Sequence, residues 1–244
     1  MEFKAPRGTS DHLPDLKANW NKIEIIARET AKSFGYNEIT TPVFEQTGLF
    51  KRAVGEGTDV VQKEMYNLTD VGGSEFTLRP EGTAPVCRAF VEHGMHNLPY
   101  PLRLFYIEPM FRHERPQSGR MRQHHQFGVE IFGDNSSEAD AEIILLGLTY
   151  LKKLGIKNLR LKLNSIGNKD SRKKFRKEFI DYFSTKKNEL PEVDKKKFDV
   201  NPIRILDSKE KVTRDLILDS PKPVEFLDDE SKLHWEKLNQ LLIK

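Results

Sequence analysis

The sequence predicts an α+β fold with a mostly antiparallel sheet flanked by helices, followed by a mainly helical region. Two apolar, strand-like runs surround the arginine-rich stretch "FRHERPQSGRMRQHHQFGVE", as expected of an antiparallel hairpin with a polar loop. Helical periodicity alternates with further strand-like runs in the first two thirds of the chain. After Gly167 the sequence becomes charged and helical, so we predict two domains, 1–165 and 166–244.

The first domain is predicted to alternate helices with strands. Apolar residues at helical spacing predict a helix over residues 15–34, which ends at Gly35. Strands are predicted in "NEITTPVFE", where Pro42 breaks the strand, and in "SEFTLRPEG". Two more are predicted in "LRLFYIEPMFRHE" and "HQFGVEIFG", where apolar and polar residues alternate. A second helix covers residues 138–154, and the alternation in "NLRLKLNSIG" predicts one more strand.

The second domain is predicted to be helical at 170–183 and 228–243, with a loop through "NPIRILDSK". The net charge of +3 lies wholly here: residues from 166 onward hold 19 Lys and Arg against 16 Asp and Glu, and 21 of each precede them. Basic runs such as "KDSRKKFRK" attract nucleic acid through phosphate contacts. A solvated helix face is the simpler interpretation of such a small excess.

Composition excludes several classes of protein and site. The single cysteine, Cys87, excludes a disulfide framework and a cysteine-based metal site. No segment approaches the roughly 20 apolar residues of a membrane span, and the amino terminus lacks a signal-peptide run, so we expect a cytoplasmic protein. P-loop and Rossmann glycine patterns are absent. His124 and His125 are adjacent and would point to opposite faces of a strand, so we expect no metal site.

The arginine-rich hairpin loop is a candidate anion site. Arg112 would end the first strand, where its guanidinium offers a bidentate fork for phosphate. Gln126 and Glu130 would share one face of the second strand. A cross-strand salt bridge between Arg112 and Glu130 explains this pair at least as well. The further arginines of the loop, together with Gln117, favour a binding role.

A second candidate is "TLRPEGTAPVCRAF", residues 77–90. The proline ends a strand, and Glu81 and Thr83 open a predicted helix, where both are ordinary helix-initiating residues. A carboxylate and a hydroxyl at this place could also hold an ammonium group. Periodicity alone favours the helix-initiating role.

Four blocks in order resemble the class II aminoacyl-tRNA synthetases in their histidyl form. "FRHERPQSGRMRQHHQFGVEIFG" is similar to motif 2 of that class, and "PRGTSDHLP", "TPVFEQTGLFKRAVGEGTDVVQKEMY" and "TLRPEGTA" precede it in the family order. "LNSIG", "NPIRILDSK" and "FLDDESKLHWEKL" extend the resemblance almost to the last residue. The resemblance to the histidyl-tRNA synthetase family implies a class II synthetase-like sheet, with residues 166–244 as a helical insertion domain.

This resemblance implies ATP-dependent attachment of histidine to its tRNA through histidyl-adenylate, with Mg²⁺ accompanying the ATP. By position, Arg112 would be the catalytic residue that grips the α-phosphate, and Glu114 would bind ATP with it. Gln117 and Arg122 would contact the acceptor end of the tRNA.

The resemblance also implies a pocket for the histidine substrate. Glu81, Thr83 and Gln126 match the positions that hold its α-amino end. Glu130 matches the acid that meets its imidazole. A buried carboxylate there would reject amino acids without a ring N–H, because an unpaired buried acid is costly.

Further expectations concern assembly and extent. Residues 41–66 resemble motif 1, which implies a homodimer. No "RGLDYY"-like strand, motif 3 or anticodon-binding domain precedes Lys244, so we expect an amino-terminal fragment with weak or no activity of its own. Two alternatives stay open: a synthetase-like regulatory subunit of ATP phosphoribosyltransferase, and a non-catalytic dimerising or RNA-binding fragment. The gene sequence beyond codon 244 would discriminate between them.

Overall fold

The computed structural model describes residues 3–55, 58–117 and 119–243. In chain order its main elements are α1 (Pro14–Ser33), β1 (Asn37–Glu38), β2 (Phe44–Gln46), α2 (Thr47–Val54), β3 (Tyr66–Thr69), β4 (Glu75–Leu78), α3 (Thr83–Glu92), β5 (Leu102–Phe111), β6 (Gln123–Phe132), α4 (Ser137–Lys153), α5 (Lys169–Thr185), α6 (Glu192–Val200), α7 (Lys211–Leu218) and α8 (Asp229–Leu242). Within these ranges no helix is long and apolar enough to cross a membrane.

The chain divides into two compact units. The first runs to Asn135 and also takes in Glu142–Asn158, while the second comprises Ser136–Ala141 and the chain from Leu159 onward. All six strands described above belong to the first unit, and the second is helical. Helices combined with mostly antiparallel strand pairs confirm the α+β prediction. The domain boundary between residues 165 and 166 stays a prediction.

The strands form two three-stranded sheets, ordered β1-β5-β6 and β2-β4-β3. β5 and β6 pair antiparallel from Leu102↔Phe132 to Phe111↔Gln123, which confirms the predicted hairpin around the arginine-rich loop. β1 pairs parallel with β5. The strand predicted in "NEITTPVFE", with its break at Pro42, is present as two separate strands, β1 and β2, which lie in different sheets. Pro42 lies between them, and proline has no N–H for a strand ladder.

The β5–β6 hairpin has two apolar faces, and both are covered by helices of the first unit. On one face, buried Phe105 packs with Ala31 of α1 and Leu146 of α4. On the other face, buried Tyr106 packs with Val86 of α3. Because full burial of one such side chain contributes about 1.5–3 kcal/mol, the hairpin is the structural centre of this unit.

Tyr106 packs directly against the backbone of two glycines. It lies opposite Gly128 of β6, where an added Cβ would come within 2.1 Å of the Tyr106 ring. An added Cβ at Gly82 would lie 2.3 Å from the same ring. Glycine is therefore required at both positions, because any side chain would occupy the space that the ring fills.

The second unit is built on a phenylalanine stripe along α5. Phe175, Phe179 and Phe183 recur every fourth residue and are buried with Phe198 and Ile205. The basic residues of "KDSRKKFRK" occupy the exposed face of the same helix. Their solvated position agrees with the simpler interpretation of this run.

Two predictions for the chain after α4 are wrong. Residues 158–167, predicted as a strand, have no regular secondary structure, and Leu161 and Ile166 are 42% and 54% exposed. A strand needs a partner for its N–H and C=O groups, and none of the described strands pairs with this segment. The loop predicted in "NPIRILDSK" contains a short helical turn over Pro202–Asp207, which buries Ile205.

Asp194 is a buried polar centre of the second unit. Its side chain is fully buried, and its carboxylate accepts hydrogen bonds from Lys197 Nζ and Thr213 Oγ1, both at 2.7 Å, and from Ser208 Oγ. Burial alone would raise the pKa of Asp194, but the three hydrogen bonds outweigh burial and lower it. This carboxylate therefore links α6 to α7 and to the residue that ends the preceding turn.

We expect Asp194→Asn to destabilise the second unit, by about 1–3 kcal/mol for each buried group left unpaired. Because the folded-state pKa of Asp194 is lowered, its stabilisation is complete above the ordinary value of 3.8 and is lost as the pH falls through the folded-state pKa. Urea unfolding of the full chain between pH 7 and pH 3, with amide exchange in α6, measures both effects. Asp199→Asn, at an exposed ion pair with Lys187, is the control and should change little. Equal stability of the two variants would contradict the role of Asp194.

We expect Gly128→Ala to destabilise the first unit by about 1–3 kcal/mol, because the new methyl group collides with the buried Tyr106 ring. Gly147→Ala is the matched control, since an added Cβ there meets no atom within 4 Å. It lies inside α4 and should be neutral or stabilising by up to about 1 kcal/mol. Chemical unfolding monitored by circular dichroism compares the two variants. Equal stabilities would show that the ring has room to move.

Candidate functional site

The candidate site lies where the start of α3 meets the β5–β6 hairpin. The Glu81 carboxylate accepts hydrogen bonds from the backbone N–H groups of Thr83 at 2.8 Å and Ala84 at 2.9 Å. These N–H groups have no partner within the helix, so Glu81 satisfies them, as the helix-initiating interpretation predicts. Each carboxylate oxygen accepts one of the two bonds, and each keeps a further lone pair for a ligand.

A further hydrogen bond joins the start of α3 to the hairpin. Thr83 Oγ1 donates to Glu130 Oε1 at 2.8 Å, from the first turn of the helix to the last part of β6. Within the described residues Glu130 is bonded to this hydroxyl and not to Arg112. The cross-strand salt bridge, the alternative for this pair, is therefore wrong.

Burial raises the pKa of Glu130; the Thr83 hydrogen bond opposes this shift, and the negative charge of Glu81 adds to it. The pKa of Tyr106 is raised to about 12 by its burial and by the charge of Glu130, so its hydroxyl stays protonated at neutral pH. Glu130 thus lies in a pocket that disfavours its charged form. A ligand that brings an N–H donor or a positive charge would relieve this cost.

Gln126 and Glu130 share one face of β6, as predicted, with Gly128 between them. The Tyr106 ring fills the space that Gly128 leaves, and its hydroxyl lies near the Thr83 side chain. The hairpin and α3 therefore bring four predicted histidine-binding residues to one region: Glu81, Thr83, Gln126 and Glu130.

Arg112 directly follows β5, as predicted. Its Nε donates to the Pro80 carbonyl oxygen at 2.8 Å, and its backbone N–H donates to the Arg122 carbonyl oxygen at 2.8 Å. Within the described residues its two terminal nitrogens make no hydrogen bond. The guanidinium is thus held beside the residue that precedes Glu81, with its bidentate edge available to an anion.

The loop between β5 and β6 places the remaining predicted residues. Arg122 Nε donates to the Glu114 carbonyl oxygen at 3.2 Å, and Arg120 lies 3.4 Å from the Glu114 carboxylate. Gln117 is exposed and forms an isolated β-bridge with Arg120. Glu114 and Arg122 therefore lie together at the base of the loop, whereas Gln117 lies near its tip.

The amino-terminal segment is attached to the base of this loop. The Gly8 carbonyl oxygen accepts from the N–H groups of Arg122 at 2.7 Å and Gln123 at 3.2 Å. Gly8 has φ +86°, and an added Cβ would lie 2.7 Å from Arg122 Cγ. The backbone N–H of His113 donates to the Glu64 carbonyl oxygen at 2.7 Å. Sequence blocks that are far apart in the chain thus converge on the loop.

Sequence reasoning missed a buried ion pair beneath the site. Arg79 is 2% and Glu108 is 3% exposed, and Arg79 Nη1 lies 2.8 Å from Glu108 Oε2. The sequence contained a signal for this pair: Glu108 lies at the next alternate position after Leu104 and Tyr106, on the face of β5 that points into the core. An acid in that series requires a buried cation or donors.

A cleft of about 1390 Å³ between α2 and α3 opens beside Glu81 and Thr83. Leu49 and Val91 contribute apolar walls, and Cys87 lines it one helical turn beyond Thr83. Space for a small molecule is therefore present next to the capped end of α3. No group of three or more His, Cys, Asp or Glu residues that could hold a metal ion occurs in the described ranges.

Comparison with known proteins gives a consistent match. The family model described as histidyl-tRNA synthetase matches residues 8–168. Proteins named histidine–tRNA ligase from Desulforudis audaxviator and from a Geobacillus species are each 47% identical to this chain, covering 99% and 100% of it. The chain spans 58% of the length of each of these relatives.

Solved structures agree with the sequence matches. The apo histidyl-tRNA synthetase of S. aureus has a TM-score of 0.73 and 34% identity, over 99% of this chain and 54% of that one. A structure described as an ATP phosphoribosyltransferase regulatory subunit/histidyl-tRNA synthetase, from Bacillus halodurans, has a TM-score of 0.68, covering 99% of this chain and 65% of that one. At 21% identity that match shows the shared fold alone. The family match and the ligase relatives confirm the resemblance, and the chain belongs to the histidyl-tRNA synthetase family.

Proposed function

We propose that the whole protein attaches histidine to its tRNA in an ATP-dependent reaction that passes through histidyl-adenylate. The observation that carries this proposal is the hydrogen bond between Thr83 and Glu130, which joins the start of α3 to the hairpin beside Arg112. One region then holds the carboxylates of Glu81 and Glu130, which can accept hydrogen bonds from an amino acid, and the Arg112 guanidinium, which can bind a phosphate. Family membership supplies the substrates: histidine, ATP with Mg²⁺, and histidine tRNA.

The histidine substrate would lie between α3 and β6. Its α-ammonium group would donate to Glu81, with Thr83 and Gln126 completing the contact. Its imidazole N–H would donate to Glu130, whose raised pKa reflects burial in a pocket that disfavours an unpaired charge. An amino acid without such a donor leaves the carboxylate unpaired, which accounts for selection of histidine.

Arg112 would bind the α-phosphate of ATP, with Glu114 on the nucleotide side of the loop. A carboxylate oxygen of histidine attacks the α-phosphorus and forms a new P–O bond, while the bond from the α-phosphorus to the bridging oxygen of the β-phosphate breaks and pyrophosphate leaves. Mg²⁺ bound with ATP would neutralise charge on the phosphates. The guanidinium stabilises the negative charge that develops on the phosphoryl oxygens, usually the largest contribution in such reactions. The Pro80 carbonyl oxygen fixes this guanidinium before the substrate arrives.

In the second step a hydroxyl of the terminal adenosine of the tRNA attacks the histidyl carbonyl carbon, and AMP leaves. Gln117 and Arg122 would contact the acceptor end, since both belong to the loop that leads away from Arg112. Arg122 is anchored through the Gly8 carbonyl oxygen, whereas Gln117 is exposed. On the same family grounds we place the reaction in the cytoplasm.

We also infer a homodimer that uses the β2-β4-β3 sheet. One face of this sheet carries Phe44 and Leu68, which are 52% and 46% exposed, and the neighbouring Phe76. Phe44 and Phe76 contact each other edge to face, with ring centroids 5.5 Å apart. These side chains lie in or near residues 41–66, which resemble motif 1, so this apolar face supports a partner subunit.

Glu130→Gln in the whole protein should weaken histidine binding, because each lost charged hydrogen bond costs about 1.5–3 kcal/mol. The KM for histidine in ATP–pyrophosphate exchange should rise by about 10-fold to 100-fold, and wild-type exchange should depend on histidine. The variant should also be more stable at pH 7: the raised pKa of Glu130 means that stability falls as the pH rises above 4.5 toward the folded-state value.

Glu142→Gln is the matched control for this experiment. Glu142 pairs with Arg103, with a lowered pKa caused mainly by that hydrogen bond, so the substitution should reduce stability and leave the KM for histidine unchanged. Exchange without histidine dependence in the wild type would refute the proposed function. An unchanged KM in Glu130→Gln would remove Glu130 from the pocket.

Light scattering of the whole protein at micromolar concentration should give the mass of a dimer. Phe44→Lys should shift the mass toward the monomer, because a charge on the apolar face opposes its burial. Val212→Lys is the control, since Val212 is 50% exposed but lies in the second unit. A wild-type monomer, or equal behaviour of both variants, would contradict the assignment of this face.

A further inference from the structure

The buried pair of Arg79 and Glu108 has a partner in a third segment. Arg79 Nη1 donates to the Thr41 carbonyl oxygen at 2.8 Å and to Thr41 Oγ1 at 3.2 Å. Glu108 accepts from the Thr41 N–H at 2.8 Å and from Thr41 Oγ1 at 3.1 Å. The hydroxyl of Thr41 therefore accepts from the guanidinium and donates to the carboxylate. Three distant segments share one closed set of hydrogen bonds.

Arg79 is bonded to the end of β5 at two points. Its side-chain Nε donates to the Pro109 carbonyl oxygen at 2.9 Å, and its own carbonyl oxygen accepts from the Phe111 N–H at 2.9 Å. Its backbone N–H donates to the Val43 carbonyl oxygen at 3.0 Å. With side chain and backbone both fixed, the peptide that follows Arg79 has little freedom to rotate.

That peptide leads directly to the site. The next carbonyl oxygen, of Pro80, accepts the Nε–H of Arg112, and the next residue is the cap Glu81. Glu108, the partner of Arg79, lies opposite Gln126 in the β5–β6 register. The buried pair thus lies behind both the phosphate side and the amino-acid side of the proposed site.

Stability alone does not explain two buried charges at this place. A buried ion pair costs about as much in desolvation as it gains, and apolar residues of similar volume often stabilise as well or better. A guanidinium, however, provides several N–H donors in a rigid plane, whereas an ammonium group is a single point. The contacts of Arg79 with Pro109, Thr41 and Glu108 depend on the fixed directions of the N–H groups in the guanidinium plane.

We propose that Arg79 and Glu108 are positioning residues for adenylate formation, which set the place of the Arg112 guanidinium through the Pro80 carbonyl oxygen. This inference rests on the proposed function. Neither residue needs to touch substrate. A displacement of about 1 Å in a positioned group is enough to cost on the order of 100-fold in rate.

Arg79→Lys in the whole protein tests the inference by activity. The variant keeps the charge but cannot bond Pro109, Thr41 and Glu108 in one plane, so kcat for ATP–pyrophosphate exchange should fall about 10-fold to 100-fold. The KM for histidine should change less than threefold, since Glu130 is untouched. Arg103→Lys is the matched control: Arg103 lies on β5, the strand of Glu108, with a two-bond pair to Glu142 on the opposite face, and kcat should stay within about twofold.

A second readout is independent of activity. In protein labelled with ¹⁵N-arginine, the Nε–H signal of Arg112, assigned with Arg112→Lys, should exchange slowly with water because it is bonded to Pro80. Arg79→Lys should accelerate that exchange at least tenfold, and Arg103→Lys should not. Where Arg79→Lys fails to fold, Glu108→Gln makes the same test, because it leaves the guanidinium without its anion.

The outcomes are distinguishable. Slow Arg112 Nε–H exchange in a folded Arg79→Lys variant would overturn the inference, as would a kcat loss no larger than that of Leu146→Ala, which weakens the core on the opposite hairpin face. Absence of histidine-dependent exchange in the wild type would instead refute the proposed function. The Nε–H signal would still decide whether Arg79 positions Arg112.

Discussion

The antiparallel register of β5 and β6 is the constraint on which the rest of the first unit depends. Because residues alternate between faces, one register assigns every side chain of the hairpin to one of two cores. A slip of β5 by one residue, with β6 in place, would turn Phe105 toward α3 and Glu108 toward α1 and α4. The pairing of Tyr106 with Gly128 opposes such a slip, since the ring fits only over a residue without a side chain.

The site is formed where a helix start is held over this hairpin. Glu81 satisfies the first N–H groups of α3, and Thr83 extends the helix to Glu130. The same carboxylates are therefore structural partners and proposed ligands for histidine. The pKa of Glu130 is raised by burial and by the charge of Glu81, so its carboxylate is unfavourable in the empty pocket. A ligand with hydrogen-bond donors, as histidine has, would remove this cost.

Local sequence patterns were sufficient to predict elements whose structure depends mainly on their own residues. Periodicity located α1 and the hairpin, and the position after the strand located Arg112. Periodicity failed where secondary structure depends on a partner that is distant in sequence. Residues 158–167 alternate like a strand, but no described strand pairs with them. The pairing of Arg79 with Glu108 likewise depends on the fold, because no local rule joins a residue after β4 to the middle of β5. The roles of the site residues toward ligands came from family resemblance, which periodicity cannot provide.

The attachment of Gly8 to the residues after the loop has a consequence for synthesis on the ribosome. The Gly8 carbonyl oxygen can accept its hydrogen bonds only after Arg122 and Gln123 have been synthesised, and β1 can pair only after β5 has been synthesised. At about 5–20 residues per second, Gly8 emerges roughly 5–25 s before these partners. During that interval the early segments have no native bonds to the hairpin, so only elements with local contacts, such as α1, are able to form at once. The nascent chain can therefore complete the β2-β4-β3 sheet before the β1-β5-β6 sheet, and the segment around Gly8 reaches its native position only after Arg122 and Gln123 have emerged.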